Sequence, residues 1–263
     1  MKKIYFLAIV FISLSAFAQI SDSILLSPKD LIIQSNGEYD LLEIIDHSFT
    51  EEIGNPLLPV KIISFVLPYN STVTGIQINS VTQEKISGNY YIFPAQPQRR
   101  LDWSEAPPFV EPNSAVYNSS VPYPNKIVEI INDGYTHGYH VVTVAIYPVE
   151  YYPENREIYL RNISFTITYN NTFDSRLSTP FEKQSLRRME LGKQFVQNMV
   201  KNVSDVENFR NKSAQIIDYS SSKDTTRGGS TSAIDVLVPD YIIITNNELK
   251  PAFQTLANHK TKK

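Results

Sequence analysis

The stretch 134–169, GYTHGYHVVTVAIYPVEYYPENREIYLRNISFTITY, constrains this chain more than any other. Val141 to Val149 is dense in β-branched and aromatic residues on both faces, as expected for a strand buried inside a sandwich. Tyr152-Pro153-Glu154-Asn155 then supplies turn chemistry, since Pro153 presets φ and Asn155 tolerates left-handed backbone. On the return, Ile158 and Leu160 share one parity, while Ile163, Phe165, Ile167 and Tyr169 share the other. A hairpin with a single buried face therefore needs a bulge near Arg161-Asn162 to restore its register.

The rest of the chain extends this β reading. Short apolar runs at Ile24 to Leu26, Leu31 to Ile33 and Leu41 to Ile45 are separated by turn residues such as Pro28 and Asn36-Gly37. Gly54-Asn55-Pro56-Leu57-Leu58-Pro59-Val60 reads as a stiff entry into a strand over Ile62 to Leu67. Val73 to Val81 alternates, and Tyr90 to Phe93 makes another short strand. From Pro94 to Pro124 the pattern stops in a proline-rich loop that holds Arg99, Arg100 and the only tryptophan, Trp103. Ile127 to Ile131 resumes as a strand that turns at Asn132-Asp133-Gly134 into the hairpin. Tyr (16), Phe (13) and Pro (16) outnumber Gly (9), which suits an aromatic-rich antiparallel β protein.

Both ends differ in character. Residues 1–18 carry Lys2 and Lys3, an apolar run from Ile4 to Ala16, and the ending Ala16-Phe17-Ala18 before Gln19. This is a secretory signal peptide cut between Ala18 and Gln19, its apolar core being shorter than the roughly 20 residues that a membrane span needs. From Pro180, Leu186, Met189, Phe195, Met199, Val203 and Val206 recur near the helical period and predict one amphipathic helix. Residues 19–207 thus form a β-sandwich domain with a trailing helix, and 208–233 a flexible tether that includes Arg227. Residues 234–263 supply a strand over Val236 to Thr245. Asn246 or Asn247 caps a helix after it, through Leu249, Phe253 and Leu256. One βα unit cannot cover both faces of its strand, so this piece reads as the start of a truncated α/β domain.

Composition excludes several functions. The formal charge is −3 without a Lys/Arg cluster, which leaves no footprint for nucleic acid. The chain has no cysteine, hence no thiol nucleophile and no disulfide. No Gly-x-Ser-x-Gly elbow marks a serine hydrolase. His137 and His140 lie near Asp133 and form either a metal site or, as spacing favours, a surface pair at a strand end. Asp22, Asp30, Glu51 and Glu52 make no calcium loop. Tyr90, Tyr91, Phe93, Trp103 and Phe109 form either a carbohydrate-stacking platform or, more simply, core and loop packing.

Three segments in order carry a family resemblance: Gly54 to Val60; Gly138-Tyr139-His140-Val141-Val142 through Tyr147-Pro148-Val149-Glu150-Tyr151; and Tyr241-Ile242-Ile243-Ile244-Thr245. Together they resemble the precursor of gingipain-type cysteine peptidases. The first two resemble its β-sandwich propeptide, the third the opening strand of its caspase-like α/β catalytic domain. The resemblance implies a secreted or cell-surface zymogen whose propeptide acts as intramolecular chaperone and latency inhibitor, covering the active-site cleft of its cognate peptidase domain in cis. It implies that Arg99 or Arg100 is presented to the specificity pocket, against the plainer reading of a solvated pair, and that Arg227 is a processing site, against that of an ordinary linker arginine. No catalytic residue carries over, because the family's His and Cys lie beyond Lys263, and this chain alone should be inactive. No cofactor is implied here; any calcium ion would belong to the catalytic domain. The rival reading is a secreted β-sandwich binding module, adhesin-like or carbohydrate-binding. Limited proteolysis should leave residues 24–170 protected and cut within 234–263; equal protection of both would refute the unfinished βα unit.

Overall fold

In the computed structural model, which describes residues 18–98, 107–171, 183–210, 215–217 and 243–261, the alternating stretches become strands joined by turns. In chain order these are β1 (Ala18–Ile24), β2 (Leu31–Asn36), β3 (Tyr39–Ile44), β4 (Ser48–Phe49), β5 (Pro59–Leu67) and β6 (Thr72–Ile86). After the one-turn helix α1 (Ser114–Tyr117) come β7 (Val128–Thr136), β8 (Tyr139–Ile146), β9 (Val149–Tyr152) and β10 (Glu157–Asn170). The chain continues through β11 (Lys183–Ser185), α2 (Leu186–Met199), β12 (Gln215–Ile217) and α3 (Lys250–Thr261). It divides into two compact units, Met1–Tyr219 and Ser220–Lys263, with the division inside the stretch expected as a tether.

Two antiparallel sheets form the first unit's sandwich. One runs β1-β10-β6, with β9 also paired to β10; the other runs β4-β5-β8-β7. Phe65, Leu67, Val142, Val144 and Ile146 of the second sheet meet Ile163, Phe165, Ile167 and Tyr169 of the first, with Phe65 and Phe165 edge to face at 6.3 Å. The β2-β3 hairpin closes a second core, in which Leu31, Leu42 and Ile44 pack with Leu58, Ile92, Val149, Tyr151, Ile158 and Leu160.

The central hairpin departs from expectation in three ways. Pro148 cannot donate to a ladder, and the stretch 141–149 is not one strand: β8 ends at Ile146 in one sheet and β9 starts at Val149 in the other. The turn into β8 lies at His137-Gly138, where both residues take positive φ (51° and 81°) as a two-residue hairpin turn requires. Asn132-Asp133-Gly134 instead belongs to β7, whose register shifts between Ile130 and Asn132. Third, no bulge occurs at Arg161-Asn162; the irregularities of the β10-β6 ladder fall between Ser164 and Phe165 and between Thr168 and Tyr169. The two apolar sets of β10 stay on opposite faces, and each has its own core. The turn at 153–156 forms as expected, although its left-handed residue is Arg156, at φ 54°, rather than Asn155.

The position between those two apolar sets holds Arg161, 2% exposed. Its Nε and Nη2 donate to the Tyr147 carbonyl (3.1 and 2.6 Å), Nη2 also to the Lys126 carbonyl (2.8 Å), and Nη1 to Glu150 Oε1 (3.0 Å). Glu150 Oε2 accepts from Gln83 Nε2 of β6 at 2.8 Å.

The helix α2 buries a face other than the one its larger residues suggest. Gly192 and Val196 are buried on it, as is Val200 just beyond its end, while Phe195 and Met199 are exposed and Met189 is half-buried. Valines four apart fit against Val66, Tyr139 and Val141 on the outer face of the second sheet, joined by Val206. Gly192 permits the approach, because a Cβ there would lie 2.9 Å from His137 Cβ. Beyond the helix, Asn202 acts as a surrogate strand: its Oδ1 accepts from Val66 N and its Nδ2 donates to Val66 O, both at 2.9 Å, which closes the β5 edge.

In the second unit α3 begins as expected, with Asn246 Oδ1 accepting from Leu249 N at 2.9 Å. Of the strand expected over Val236 to Thr245, residues up to 242 lie outside the described residues, and 243–245 are not extended into a ladder. No described helix is long and apolar enough to cross a membrane.

Arg161→Ala would leave Glu150 buried without its ion-pair partner and three carbonyl contacts unmade. It should lower stability by about 3–5 kcal/mol in urea unfolding, and Arg161→Met with Glu150→Gln should recover part of the loss.

Candidate functional site

The proline-rich loop that carries Arg99 and Arg100 leaves and re-enters the domain through a built base. Thr50 starts it: its N–H donates to Leu58 O (2.9 Å) and its buried hydroxyl donates to Pro56 O (2.8 Å) while accepting from Leu58 N (3.0 Å). The turn so closed holds the Gly54-Asn55-Pro56 segment against the outgoing limb of the loop. Gly54 N donates to Ala95 O, Ala95 N to Asn55 O and Leu57 N to Phe93 O, each at 2.8 Å.

The same segment holds the returning limb. Asn113 N donates to Gly54 O (2.8 Å) and Asn113 Nδ2 to Asn55 Oδ1 (2.9 Å). The limbs are also tied directly, since Gln96 Oε1 accepts from Val110 N (2.8 Å) and its Nε2 donates to Val110 O (2.9 Å). A side-chain amide here pairs with a peptide as another strand would. Gly54 sits at φ 81°, with an added Cβ 3.5 Å from Glu111 O, so the backbone conformation rather than space demands glycine.

Aromatic rings fill the ground beneath. Tyr39 stacks on Tyr91 at 5.1 Å, meets Phe93 edge to face at 5.6 Å and lies 6.0 Å from Phe109, while Tyr91 meets Tyr117 at 5.6 Å. Tyr117 OH donates to Ile92 O (2.7 Å) and Tyr151 OH to Tyr90 O (2.9 Å); burial pushes both phenols up, that of Tyr151 to about 12. These rings pack on one another and on Arg156, whose guanidinium stands 4.6 Å over Tyr91, instead of forming an open sugar platform. Arg99, Arg100, Trp103 and the tether's Arg227 lie outside the described residues. Ala18 opens β1, paired with Tyr169, and Gln19 follows it in the strand; residues 1–17 also lie outside the described residues.

The histidines do not form a surface pair. His137 is exposed in its turn, its ring 4.8 Å from Phe195, whereas His140 is 1% exposed. His140 Nδ1 lies 3.1 Å from Ser71 Oγ and Nε2 2.6 Å from Asp133 Oδ1, with the ring stacked on Tyr135 at 4.5 Å. Sequence reading missed Ser71, which comes from the distant β5–β6 turn. The order Ser, His, Asp imitates a hydrolase triad, but the burial and hydrogen bond of the serine forbid that chemistry. Ser71 is 1% exposed and its hydroxyl already donates to Pro68 O at 2.6 Å, so its proton is not directed at His140 and its oxygen is closed off from solvent. The cluster ties the β5–β6 turn to β7 and β8.

The described residues of the first unit thus form an antiparallel β-sandwich whose long proline-rich loop is hydrogen-bonded at both limbs to the Gly54-Asn55-Pro56 segment. The family profile Propeptide_C25 matches residues 35–190. The chain belongs to this family, the gingipain-type propeptides. Among solved structures, a chain from the complex of Porphyromonas gingivalis RgpB pro- and mature domains is similar at 14% identity and TM-score 0.52, covering 72% of this chain and 94% of that one. A chain from a study of zymogenic latency of gingipain K, also from Porphyromonas gingivalis, aligns at 21% identity and TM-score 0.49, over 59% of this chain and 89% of that one. No curated protein matches.

Gly54→Ala would force an L-residue into left-handed backbone. It should cost about 1–2 kcal/mol in urea unfolding and speed hydrogen exchange at the Ala95 and Asn113 amides.

Proposed function

We propose that this chain is the latency-keeping propeptide of a secreted gingipain-type cysteine endopeptidase precursor, followed at 234–263 by the start of the peptidase domain. In this reading residues 1–18 direct export. The sandwich folds first and serves as an intramolecular chaperone, then covers the active-site cleft in cis. The loop presents Arg99 or Arg100 to the specificity pocket, and cleavage at Arg227 in the tether releases the enzyme.

The observation that carries the reading is the loop base. Both limbs of the loop that carries Arg99 and Arg100 are hydrogen-bonded to one segment, the same Gly54-Asn55-Pro56 that links the sequence to the family. A reactive-site loop must resist the peptidase it occupies, and a clamped base lowers the entropy lost on binding and keeps the two limbs registered. The inward-packed tyrosines weigh against a glycan-binding module.

The whole chain, added to the mature peptidase of the same precursor, should inhibit it. Replacing both Arg99→Ala and Arg100→Ala should weaken inhibition by about tenfold or more, the equivalent of one lost charge-assisted contact. In the precursor, Arg227→Gln should slow maturation. A wild-type chain that neither binds nor inhibits would overturn the proposal.

A further inference from the structure

The outer face of the sheet β4-β5-β8-β7 carries two apolar stretches, separated by the Ser64–Thr143 hydroxyl pair, and they are covered unequally. The helix α2 and the turn after it bury Val66, Tyr139 and Val141. Further along the same face, Val60, Ala145 and Tyr147 form a small cluster that no described helix covers. Around that cluster Ile62 of β5 is 47% exposed, Ile131 of β7 48% and Phe49 of β4 37%.

These residues floor a cleft of about 490 Å³. Its rim carries three carboxylates, Glu51, Glu52 and Glu129, against the single ammonium of Lys126, which is paired with Glu129 at 3.0 Å. Burial opposes the charge on Glu129, but hydrogen bonds from Tyr147 and Lys126 outweigh it and hold the carboxyl below its ordinary range. Glu51 and Glu52 are exposed.

The cleft is continuous with the loop base. A second hollow shares Phe49, Thr50 and Glu51 with it and is lined on its other side by Pro97 and Gln98, the last described residues before Arg99.

We propose that the acid-rimmed cleft over Val60, Ile62 and Ala145 is a docking surface for the peptidase domain, taking a segment that sets a basic side chain beside an apolar one. The inference rests on the function proposed above. Three observations select this occupant: an exposed apolar floor of interface type, a rim whose three carboxylates outnumber its one ammonium, and continuity with the root of the arginine-bearing loop. The loop would supply specificity at the active site, and the cleft a second anchorage that does not depend on it.

The test uses the whole chain with the mature peptidase of the same precursor, comparing wild type, the Arg99→Ala/Arg100→Ala variant, Ile62→Asp, and Glu51→Lys with Glu52→Lys. All substituted cleft residues are exposed, so urea midpoints should stay near the wild-type value. Binding by both cleft variants should weaken about tenfold or more, and only the charge-reversal loss should shrink in 1 M salt. Wild-type inhibition with undiminished binding by the cleft variants would overturn this proposal and leave the propeptide reading standing. Failure of the wild-type chain to bind at all would overturn both. Self-association of the chain that Ile62→Asp abolishes, with binding to the peptidase unchanged, would make the cleft a homotypic surface and overturn the proposal as well.

Discussion

The sandwich depends on Arg161 because β10 has to serve two cores from opposite faces. Ile158 and Leu160 face one core, while Ile163 to Tyr169 face the other. At the changeover no apolar side chain satisfies the carbonyls of Tyr147 and Lys126, which stand where β8 leaves one sheet, β9 joins the other and β7 is about to begin. The guanidinium donates to both carbonyls and to Glu150, and Glu150 is in turn fixed by Gln83 of β6. A planar fork with several donors suits acceptors that diverge in this way, and a lysine ammonium would not reproduce it. The burial of a charge is tolerable only because the network is filled on every side.

What the sequence made legible follows from which signals are local. The alternation of Ile163, Phe165, Ile167 and Tyr169, the turn beginning at Pro153 and the Asn246 cap each depend on a few neighbouring residues, and each formed where the pattern pointed. Errors arose where two local solutions competed. Asn132-Asp133-Gly134 and His137-Gly138 both contain turn residues, and the choice between them was made by distant partners: Asp133 is held by His140, which is held by Ser71. The parity jump in β10 implies a bulge only for a sheet with one buried face; here both faces are buried, and nothing local to Arg161 marks it as a core residue. In α2 the large apolar residues Phe195 and Met199 lie off the narrow face of Gly192, Val196 and Val200 that a close approach to the sheet requires, so side-chain size and burial part company.

The candidate site was legible in a different sense. The Gly54-Asn55-Pro56 segment stood out as stiff and extended, yet what it stiffens, two limbs of a loop some forty to sixty positions downstream, is a tertiary fact. Gln96 is the clearest case: nothing in its neighbours marks it, and its role exists only because Val110 lies opposite. The triad-like cluster teaches the complementary lesson. Ser71, His140 and Asp133 have residue types that suggest hydrolysis, and only the tertiary structure shows that the serine hydroxyl is buried and donates to the Pro68 carbonyl.

The same reasoning explains why one sheet face is treated in two ways. Over Val66, Tyr139 and Val141 the chain spends a helix and the Asn202 turn, which also seal the free edge of β5. Over Val60 and Ala145, among the described residues, only Tyr147 joins the cluster, and its hydroxyl is committed to Glu129. An exposed apolar floor is a liability in a free-standing domain, since it invites association, and acidic residues around it bias that association toward a basic partner. On the function proposed above, such a face can be left open, because the partner arrives on the same polypeptide at high effective concentration.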